Sequence, residues 1–432
     1  MWQIAVPSIL ANLSTPLLGL SDSFIMGHMP HERYLAAVAL GAIFFSILYN
    51  GVNFLRMGTT GLAAQAHGRG DELGLNQLFI RGCISAFAIG LLFISLQSFL
   101  SYIFFYFMEA ERVVTQLSAQ YFSIRIWGAP FALMNYVASG WLLGMGQAKE
   151  VLYIHLYMNI SNILLNFLFV YSFDMTVDGV ALGTVLSEST AFFLCIYYVM
   201  RHNRLDFKLT LFNAKVLDKI MELTAFKKLF TLNRDIFIRT MCLTFTLASF
   251  TLLGTRFGTE ILAANAVLMN LQNLTAYGLD GFAQAAEVLV GKEIGKKSKE
   301  SLRAAVIVSS KWALYTAFAF TMFYLILGET VIHLLTNIET IRVIAGDYLI
   351  WVIILPLLSI WSFQLDGIFI GATAASHMRN GMIISAICYV ISIFTLLPLF
   401  GNHGLWLSYS IFLIMRALTL VVKYPEIEKR AV

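Results

Sequence analysis

Long apolar segments recur along the whole chain, and short polar breaks separate them. Each segment holds about 20 residues or more, the length that an α-helix needs to cross the hydrocarbon core of a bilayer. The pattern therefore predicts an all-α integral membrane protein with about twelve transmembrane helices. The predicted spans lie near residues 3–27, 35–57, 78–107, 121–144, 151–172 and 179–200 in the first half, and near 230–255, 261–289, 304–328, 344–370, 378–399 and 404–423 in the second.

The second set of six spans repeats the first. When the sequence is displaced against itself, Gly27 aligns with Gly254 and Gly140 with Gly367, and both pairs are 227 residues apart. Self-similarity at a fixed displacement indicates an internal duplication. Because six is even, the two copies keep the same orientation and are predicted to form two homologous six-helix bundles, related by an axis along the membrane normal. Two such bundles leave a cleft between and within them, which is typical of a transporter with alternating access.

A lysine-rich polar stretch separates the two sets of spans. We therefore expect an N-terminal six-helix lobe at 1–200, a cytoplasmic linker at 201–229 and a C-terminal six-helix lobe at 230–432. The apolar residues of the linker recur at helical spacing, which favours an amphipathic helix on the membrane surface over a binding element.

Composition and charge agree with a membrane protein. Hydrophobic residues make up 59% of the chain and charged residues 12%, whereas a soluble domain carries about 25% charged residues. Lys and Arg concentrate in the loops after the even-numbered spans and in the C-terminal tail, so the positive-inside rule places both termini in the cytoplasm. We expect a monomeric, multi-pass protein of the plasma (inner) membrane, in contact with lipid. The loops on the opposite side contain Arg33, Arg112, Arg256 and Arg342.

Motifs for enzymatic chemistry are absent from the sequence. It contains no Walker A sequence, no H-E-x-x-H zinc motif and no Cys/His cluster with metal-ligand spacing. The four cysteines are isolated in apolar segments and do not predict disulfides. The sequence therefore predicts no enzyme, no metal or organic cofactor and no nucleic-acid partner.

Asp22 is the clearest candidate for a functional group inside a span. A charge within the bilayer is costly and usually serves a function. Asp22 lies in the outer half of the first span, and no basic residue lies within a helical turn of it. The alternative is a carboxylate at the water interface, since the span ends shortly afterwards. Other polar groups at the same depth favour a site.

Those polar groups come from three further spans. Asn159, Asn162 and Asn166 on the fifth span follow the spacing i, i+3, i+7 and therefore line one helical face. Thr184 on the sixth span and Tyr121 at the start of the fourth are expected at a similar depth. A carboxylate with amides and hydroxyls can hold a proton or Na⁺. For the asparagine stripe, hydrogen bonds that join helices remain the alternative.

Other charges inside the spans predict ion pairs. Arg125 and Glu188 in the first lobe are expected to form a buried structural pair. Asp235 and Arg239 in the second lobe are spaced i, i+4 and are expected to pair with each other.

Two further features concern the second lobe and the first span. Asp366 lies deep in the second lobe close to Gln364, and the two are candidates for a second carboxylate site, with a contact at an inner gate as the alternative. Pro7 removes a backbone hydrogen bond in the first span and predicts a kink there.

Three parts of the chain resemble a known family of membrane transporters. These are MGHMPHERYLAAVALGAIFFSILYNGVNFLRMGTTGLAAQAHGRGD in the first lobe, NILLNFLFV with DGVALGTVLSE in the fifth and sixth spans, and LDGIFIGATAASHMRNGM in the second lobe. They are similar to the multidrug and toxic compound extrusion (MATE) family, and in particular to its DNA-damage-inducible F (DinF) branch. The resemblance implies two six-helix lobes around a central cleft and export of small organic, often cationic, compounds driven by inward H⁺ or Na⁺.

The resemblance also implies roles for individual residues. By position, Asp22 resembles the family's cation-coupling aspartate, Pro7 the proline of its bending first helix, and Asn162 and Thr184 its polar partners in the fifth and sixth spans. Asn166 departs from the pattern, because related proteins usually have aspartate there. A hard cation prefers more negative oxygen ligands, so we expect H⁺ rather than Na⁺ as the coupling ion, with Asp22 as its carrier.

The sequence thus predicts a secondary antiporter that exports organic compounds in exchange for H⁺ by alternating access. One alternative is a lipid-linked oligosaccharide flippase of the same superfamily, for which Arg56 and Arg125 could bind pyrophosphate; twelve spans and an acidic outer site argue against it. A major facilitator transporter would need a D-R-x-G-R signature after the second span, where this chain has GRGDELG. A non-transporting membrane sensor or scaffold is expected to carry a soluble output domain, which the sequence does not show.

Overall fold

The computed structural model describes residues 1–106, 111–203 and 220–431, and the regular structure in these ranges is helical. We number the α-helices in chain order. The first half contains α1 (Trp2–Gly27), α2 (Glu32–Val52), α3 (Phe54–Arg69), α4 (Glu72–Ser95), α5 (Gln97–Tyr106), α6 (Arg112–Arg125), α7 (Ala129–Gly144), α8 (Ala148–Phe167) and α9 (Val177–Asn203). The second half contains α10 (Leu223–Gly254), α11 (Thr259–Gly295), α12 (Lys299–Leu335), α13 (Glu339–Gly371), α14 (Ala375–Val421) and α15 (Tyr424–Glu428).

These helices account for the predicted spans, although several spans are built from two helices. Asn53 separates α2 from α3, Leu96 separates α4 from α5, and the 3₁₀ turn Ile126–Gly128 separates α6 from α7. Conversely, α14 covers the eleventh and twelfth spans, because the backbone of Gly401 (φ 54°, ψ −131°) breaks the helical path inside it. The predicted all-α architecture is confirmed for the described residues.

Length and hydropathy alone identify nine helical segments of the described chain as able to cross a membrane. The difference from the predicted twelve has local causes. The 3₁₀ turn divides the fourth span, α14 contains two spans, and α11 carries Asp280 and Glu287 among several amide side chains.

The described chain divides into two compact units. Leu10–Phe230 form one, which we term the Asp22 unit, and Met1–Ile9 with Thr231–Val432 form the other, which we term the Asp366 unit. The lobe boundaries at residues 200 and 230 remain predictions. Within the expected linker, residues 204–219 lie outside the described residues.

Helix α1 is continuous through Pro7, and its first residues belong to the Asp366 unit. There Trp2 packs edge-on against Phe282 and Trp312, with ring centroids 5.6 and 4.8 Å away. Gly281 on α11 lets the backbone of α1 approach closely at Ala5. The boundary between the units therefore falls inside a single helix, shortly after the proline.

Close helix contacts repeat from one unit to the other. In the Asp22 unit, Gly140 on α7 lies against the backbone carbonyl of Arg56 on α3. In the Asp366 unit, Gly367 on α13 lies against the carbonyl of Ala283 on α11. Gly367 lies 227 residues after Gly140, and Ala283 lies 227 residues after Arg56. One turn later, Gly144 and Gly371 make the corresponding contacts. A Cβ atom at any of these glycines would collide with backbone, so only glycine permits the approach.

The turns between helices repeat as well. Six of the seven residues with positive φ in the described chain form pairs with the same displacement, and Gly258 is the exception. The pairs are Gly70 and Lys297 (φ 69° and 57°), Gly146 and Thr373 (80° and 52°), and Asp174 and Gly401 (52° and 54°). The duplication therefore extends through the turn that joins the fifth and sixth spans.

Candidate functional site

Asp22 lies near the C-terminal end of α1 and is 4% exposed. Its carboxylate Oδ1 accepts a hydrogen bond from the amide of Asn166 on α8, at 2.7 Å. The water-interface alternative therefore does not apply in this conformation, since the carboxylate is buried within the Asp22 unit. It is paired with a neutral amide.

A chain of hydrogen bonds continues from this amide across α8 to α9. Asn166 Nδ2 also lies 3.2 Å from Asn162 Oδ1, and Asn162 Nδ2 donates to Thr184 Oγ1 at 3.0 Å. The Thr184 hydroxyl donates to the carbonyl of Val180, 2.9 Å away. Asn166 thus donates both to Asp22 and to Asn162, and from Asn162 the hydrogen bonds of this polar cluster continue away from Asp22 to the carbonyl of Val180.

The structure divides the asparagine stripe of α8 into two parts. Asn162 and Asn166 belong to the polar cluster, whereas Asn159 donates from Nδ2 to the backbone carbonyl of Ser14 on α1, at 2.7 Å. Asn159 therefore joins two helices, as the alternative interpretation of the stripe expects, and the other two contact functional side chains. The spacing could not separate these roles, because all three residues share one face.

Asn166 keeps one polar atom unsatisfied. Its Oδ1 is buried and has no hydrogen-bond partner among the described residues. This oxygen faces the backbone of Gly183 on α9, where a Cβ would collide with it. Orphaned buried acceptors are uncommon and call for an explanation.

Tyr121 and Pro7 lie apart from this hydrogen-bonded chain. The ring of Tyr121 is buried against Gly41 on α2 and lies 6.3 Å from the ring of Phe45, and its hydroxyl is hydrogen-bonded to the side chain of Arg125. Pro7 belongs to the Asp366 unit. The structure therefore brings together Asp22, Asn162, Asn166 and Thr184 out of the residues expected at this site.

Arg125 on α6 and Glu188 on α9 form the predicted buried pair. Two guanidinium nitrogens donate to the two carboxylate oxygens at 2.7 and 2.5 Å, which is a bidentate geometry. The guanidinium carbon also lies 5.0 Å from the ring centre of Phe45 and 5.4 Å from that of Tyr49. Asn135 on α7, which the sequence did not single out, donates to the backbone carbonyl of Glu188 at 2.8 Å.

Asp366 in the other unit has a different environment. Its Oδ2 accepts from the guanidinium groups of Arg239 on α10 and Arg416 on α14, and all three side chains are buried. The predicted pair between Asp235 and Arg239 is therefore wrong. Asp235 instead pairs with Arg379 at 2.7 Å and with Arg234 at 3.0 Å, because the side chain of Arg239 reaches across to Asp366 on α13.

Gln364 does not join Asp366. Its amide donates to Ser309 Oγ on α12 at 2.7 Å, and its Oε1 is buried without a partner among the described residues. Residues i and i+2 on a helix point in different directions, which explains why these sequence neighbours make separate contacts. The contact between Asp366 and Arg416, which lies 50 residues further along the chain, leaves no local pattern in the sequence.

Comparison with known families identifies the relatives of this chain. The MatE family model matches it twice, over residues 7–168 and 236–396, once in each half. The DNA damage-inducible protein F of Escherichia coli (strain K12) is 37% identical over 420 residues, which cover 97% of this chain and 90% of that protein. A probable multidrug resistance protein NorM of Pasteurella multocida (strain Pm70) is 24% identical, covering 98% of this chain and 93% of that protein.

Solved structures share the fold at low sequence identity. A crystal structure of MATE in the bent conformation superposes with a TM-score of 0.86 at 20% identity, covering 99% of this chain and 94% of that one. The Vibrio cholerae MATE transporter VcmN in the bent form gives 0.84 at 16% identity, with 100% and 96% covered. At this level of identity the likeness concerns the fold, and the roles of residues must be argued from the contacts above.

Proposed function

The chain belongs to the MatE family of membrane transporters, and on that premise we propose that it is an antiporter that exports organic compounds in exchange for protons. Membership makes it a multi-pass membrane transporter and not an enzyme. The finer proposal rests on one observation, the buried carboxylate of Asp22 at the end of a chain of neutral amide donors. The substrates that fit an acidic site of this kind are organic, amphipathic and often cationic.

The composition of the polar cluster supports H⁺ over Na⁺ as the coupling ion. A sodium or other hard cation requires several oxygen ligands that converge on it. Toward Asp22 the cluster presents the Nδ2 of Asn166, a hydrogen-bond donor, and Asp22 is its only carboxylate. A proton needs a single acceptor, which Asp22 supplies.

Asn166 can respond to either protonation state of Asp22. While Asp22 is ionised, the amide NH₂ donates to it, as observed. When Asp22 is protonated it becomes a donor, and a half-turn of the Asn166 amide would bring its unsatisfied Oδ1 into position as the acceptor. An ionised aspartate at this position could only accept hydrogen bonds at neutral pH, whereas the amide of Asn166 can donate or accept. The departure from the family pattern thus suits proton coupling.

The proposed cycle couples the proton to the substrate through differential affinity. Protonation of Asp22 from outside removes the charge that attracts a cationic substrate, and the substrate leaves outward. Loss of the proton to the cytoplasm restores the charge and with it the affinity for the next substrate. Such coupling needs only that proton and substrate favour different states. We place both termini in the cytoplasm, the protein in the inner membrane and the functional unit at one chain.

The flippase alternative loses one of its supports. Arg125, which could have bound pyrophosphate, is neutralised by Glu188 in a bidentate pair. Arg56 donates from Nε to Asn53 Oδ1 at 3.3 Å. These contacts favour the antiporter.

The test is transport of a fluorescent organic cation by everted membrane vesicles under an imposed ΔpH or an imposed Na⁺ gradient. We expect ΔpH to drive transport in the wild type and Asp22→Asn to abolish it, while the exposed-carboxylate control Asp347→Asn transports normally. Transport driven by Na⁺ alone would overturn proton coupling. Absence of cation transport under both gradients, with lipid-linked sugar translocation instead, would favour the flippase.

A further inference from the structure

Two helices of the Asp22 unit carry polar side chains at matching intervals. On α9, Glu188 follows Thr184 by one helical turn, and on α6, Arg125 follows Tyr121 by one turn. Thr184 ends the hydrogen-bonded chain that begins at Asp22, and Glu188 pairs with Arg125. The ion pair and the carboxylate therefore lie in one connected set of side chains within a single unit.

The pair is buried, and its charges cancel. Arg125 is 6% exposed and Glu188 is 7% exposed. Each of them acts electrostatically on Asp22, with opposite signs. Because electrostatic interactions weaken less with distance in a low-dielectric interior than in water, a single charge here would act strongly on Asp22, while the neutral pair acts weakly.

Among the described residues, the surroundings of the pair contain phenols and one further charge, the guanidinium of Arg56, which acts on Tyr136. The groups that face it are the phenols of Tyr49 and Tyr136, the phenol of Tyr121 and the rings that stack on the guanidinium. Phenols are neutral near pH 7. The charge balance beside Asp22 therefore depends on Arg125 and Glu188 together.

The duplicated unit supplies an internal comparison. The position that corresponds to Arg125 is Val352, and the position that corresponds to Asp22 is Ser249. The six-helix fold thus forms without the arginine where the carboxylate is missing. If the fold alone required the arginine, both units would contain it. The arginine occurs only in the unit that also contains the carboxylate, which indicates that its role is connected with Asp22.

We propose that the Arg125–Glu188 pair is a positioning element that keeps the charge around Asp22 balanced and so sets the pH at which Asp22 gains and loses its coupling proton. The inference rests on the proposed function for its physiological meaning, because Asp22 is the proposed proton carrier. Its physical content, the effect of the pair on the titration of Asp22, is measurable without transport.

The test measures the protonation of Asp22 directly. Infrared difference spectra of the purified protein in lipid, recorded against pH, contain the C=O band of a protonated carboxyl group, and the part that Asp22→Asn removes belongs to Asp22. We expect Glu188→Gln, which leaves the arginine unpaired, to move the midpoint of that band to lower pH by on the order of one unit. Arg125→Gln, which leaves the carboxylate unpaired, should move it to higher pH.

A double variant keeps the proposal testable if a single variant fails to fold, since an unpaired buried charge is strongly destabilising. The double variant Arg125→Gln/Glu188→Gln preserves neutrality. We expect the midpoint of its Asp22 band to lie closer to the wild type than that of either single variant. The pH at which transport is half-maximal should follow the infrared midpoint in every variant that folds.

Several outcomes would overturn the inference. One is an unchanged Asp22 midpoint in both single variants, and another is a shift of the same sign in both. If only the neutral double variant folds, a midpoint of its Asp22 band displaced by about one pH unit or more would also overturn the inference. A second carboxyl band that disappears in Glu188→Gln would also overturn it, because Glu188 would then carry a proton itself. Infrared shifts as expected in a protein that transports nothing would leave this inference standing and reject the proposed function.

Discussion

The two units of this protein share the same backbone plan, but they carry different side chains at corresponding helix–helix contacts. In the Asp22 unit, α1 and α8 meet where Asp22 accepts a hydrogen bond from Asn166 of α8. At the corresponding place in the Asp366 unit, Ser249 on α10 donates to the hydroxyl of Tyr389 on α14 at 3.2 Å, and Tyr389 aligns with Asn162. Both units join the same pair of helices by a hydrogen bond, but the contact in the Asp22 unit contains a carboxyl group, whereas the contact in the Asp366 unit joins two hydroxyl groups.

The second carboxylate shows the reverse difference. Asp366 aligns with Ser139, and its partner Arg239 aligns with Asn12, so the Asp366 unit carries charges where the Asp22 unit has neutral polar side chains. Asp366 is held by two guanidinium groups, whereas Asp22 is held by an amide. We therefore expect Asp366 to serve as a structural anchor, and Asp22 to carry the coupling proton as proposed.

Replacing each carboxylate by its amide tests this contrast most directly. We expect Asp22→Asn to fold normally and to abolish ΔpH-driven transport, because an amide cannot carry the proton. We expect Asp366→Asn to lower stability by about 3–5 kcal/mol, because two buried guanidinium groups lose their counter-charge. Vesicle transport and thermal unfolding in detergent measure the two effects. Strong destabilisation by Asp22→Asn, or loss of coupling without destabilisation by Asp366→Asn, would break the distinction.

Close glycine contacts should behave alike in the two units, since they belong to the shared backbone plan. Gly144→Ala and Gly371→Ala each push a methyl group into a neighbouring helix backbone, and overpacking of this kind costs about 1–3 kcal/mol. Gly346→Ala is the matched control on α13, because its added methyl group meets nothing within 4 Å. Melting temperatures should fall for the first two and stay level or rise for the control. A large fall in melting temperature for only one of the two variants would show that the close helix contact is no longer required in both units.

The fold was predictable because its determinants are repetitive. Twenty-residue apolar segments and recurring glycines such as Gly140 and Gly367 carry the same signal many times along the sequence. The separation of spans into paired helices was not predictable, because a single residue such as Leu96 continues the apolar pattern while it interrupts the helix.

The site was only partly predictable. Helical spacing identified the asparagine stripe, but the choice between a bond to Asp22 and a bond to a backbone carbonyl depends on which helix lies opposite each residue. The same limitation produced the wrong pairing of Asp235 with Arg239: local spacing permits it, and the tertiary contact of Arg239 with Asp366 replaces it. Contacts between distant spans, such as Asn135 with Glu188, leave no local pattern in the sequence.

The repeated turns offer a smaller test of the comparison. Thr373 and Gly146 occupy corresponding turns with φ of 52° and 80°, a region that costs a β-branched residue about 1–2 kcal/mol. Thr373→Gly should therefore stabilise the protein by up to about 1 kcal/mol after the greater backbone entropy of glycine is subtracted. Gly146→Thr should destabilise it by a similar amount. If Thr373→Gly instead lowered the melting temperature, side-chain contacts of Thr373 would outweigh its strained backbone, and the two turns would not be equivalent.

The smallest expected effect concerns an ion pair outside the membrane that only one unit contains. Arg303 at the start of α12 donates to Glu428 on α15 at 2.8 and 2.7 Å, and the position that corresponds to Arg303 is Asn76. The hydrogen bonds from Arg303, with Lys299 nearby, hold the pKa of Glu428 below its ordinary value of 4.5. A lowered pKa means that the pair stabilises the folded state above that ordinary value and that the contribution disappears as the pH falls through the lowered one.

Glu428→Gln should accordingly lower stability at pH 7 by less than about 1 kcal/mol, since the pair is close to solvent. The difference in melting temperature between variant and wild type should vanish in strong acid and shrink in high salt. Asn76→Arg, the matching change in the other unit, has no such partner carboxylate built for it and should leave the melting temperature unchanged. A Glu428→Gln effect of several kcal/mol, or one independent of pH, would mean that α15 contributes to the Asp366 unit through packing at Ile427 rather than through charge.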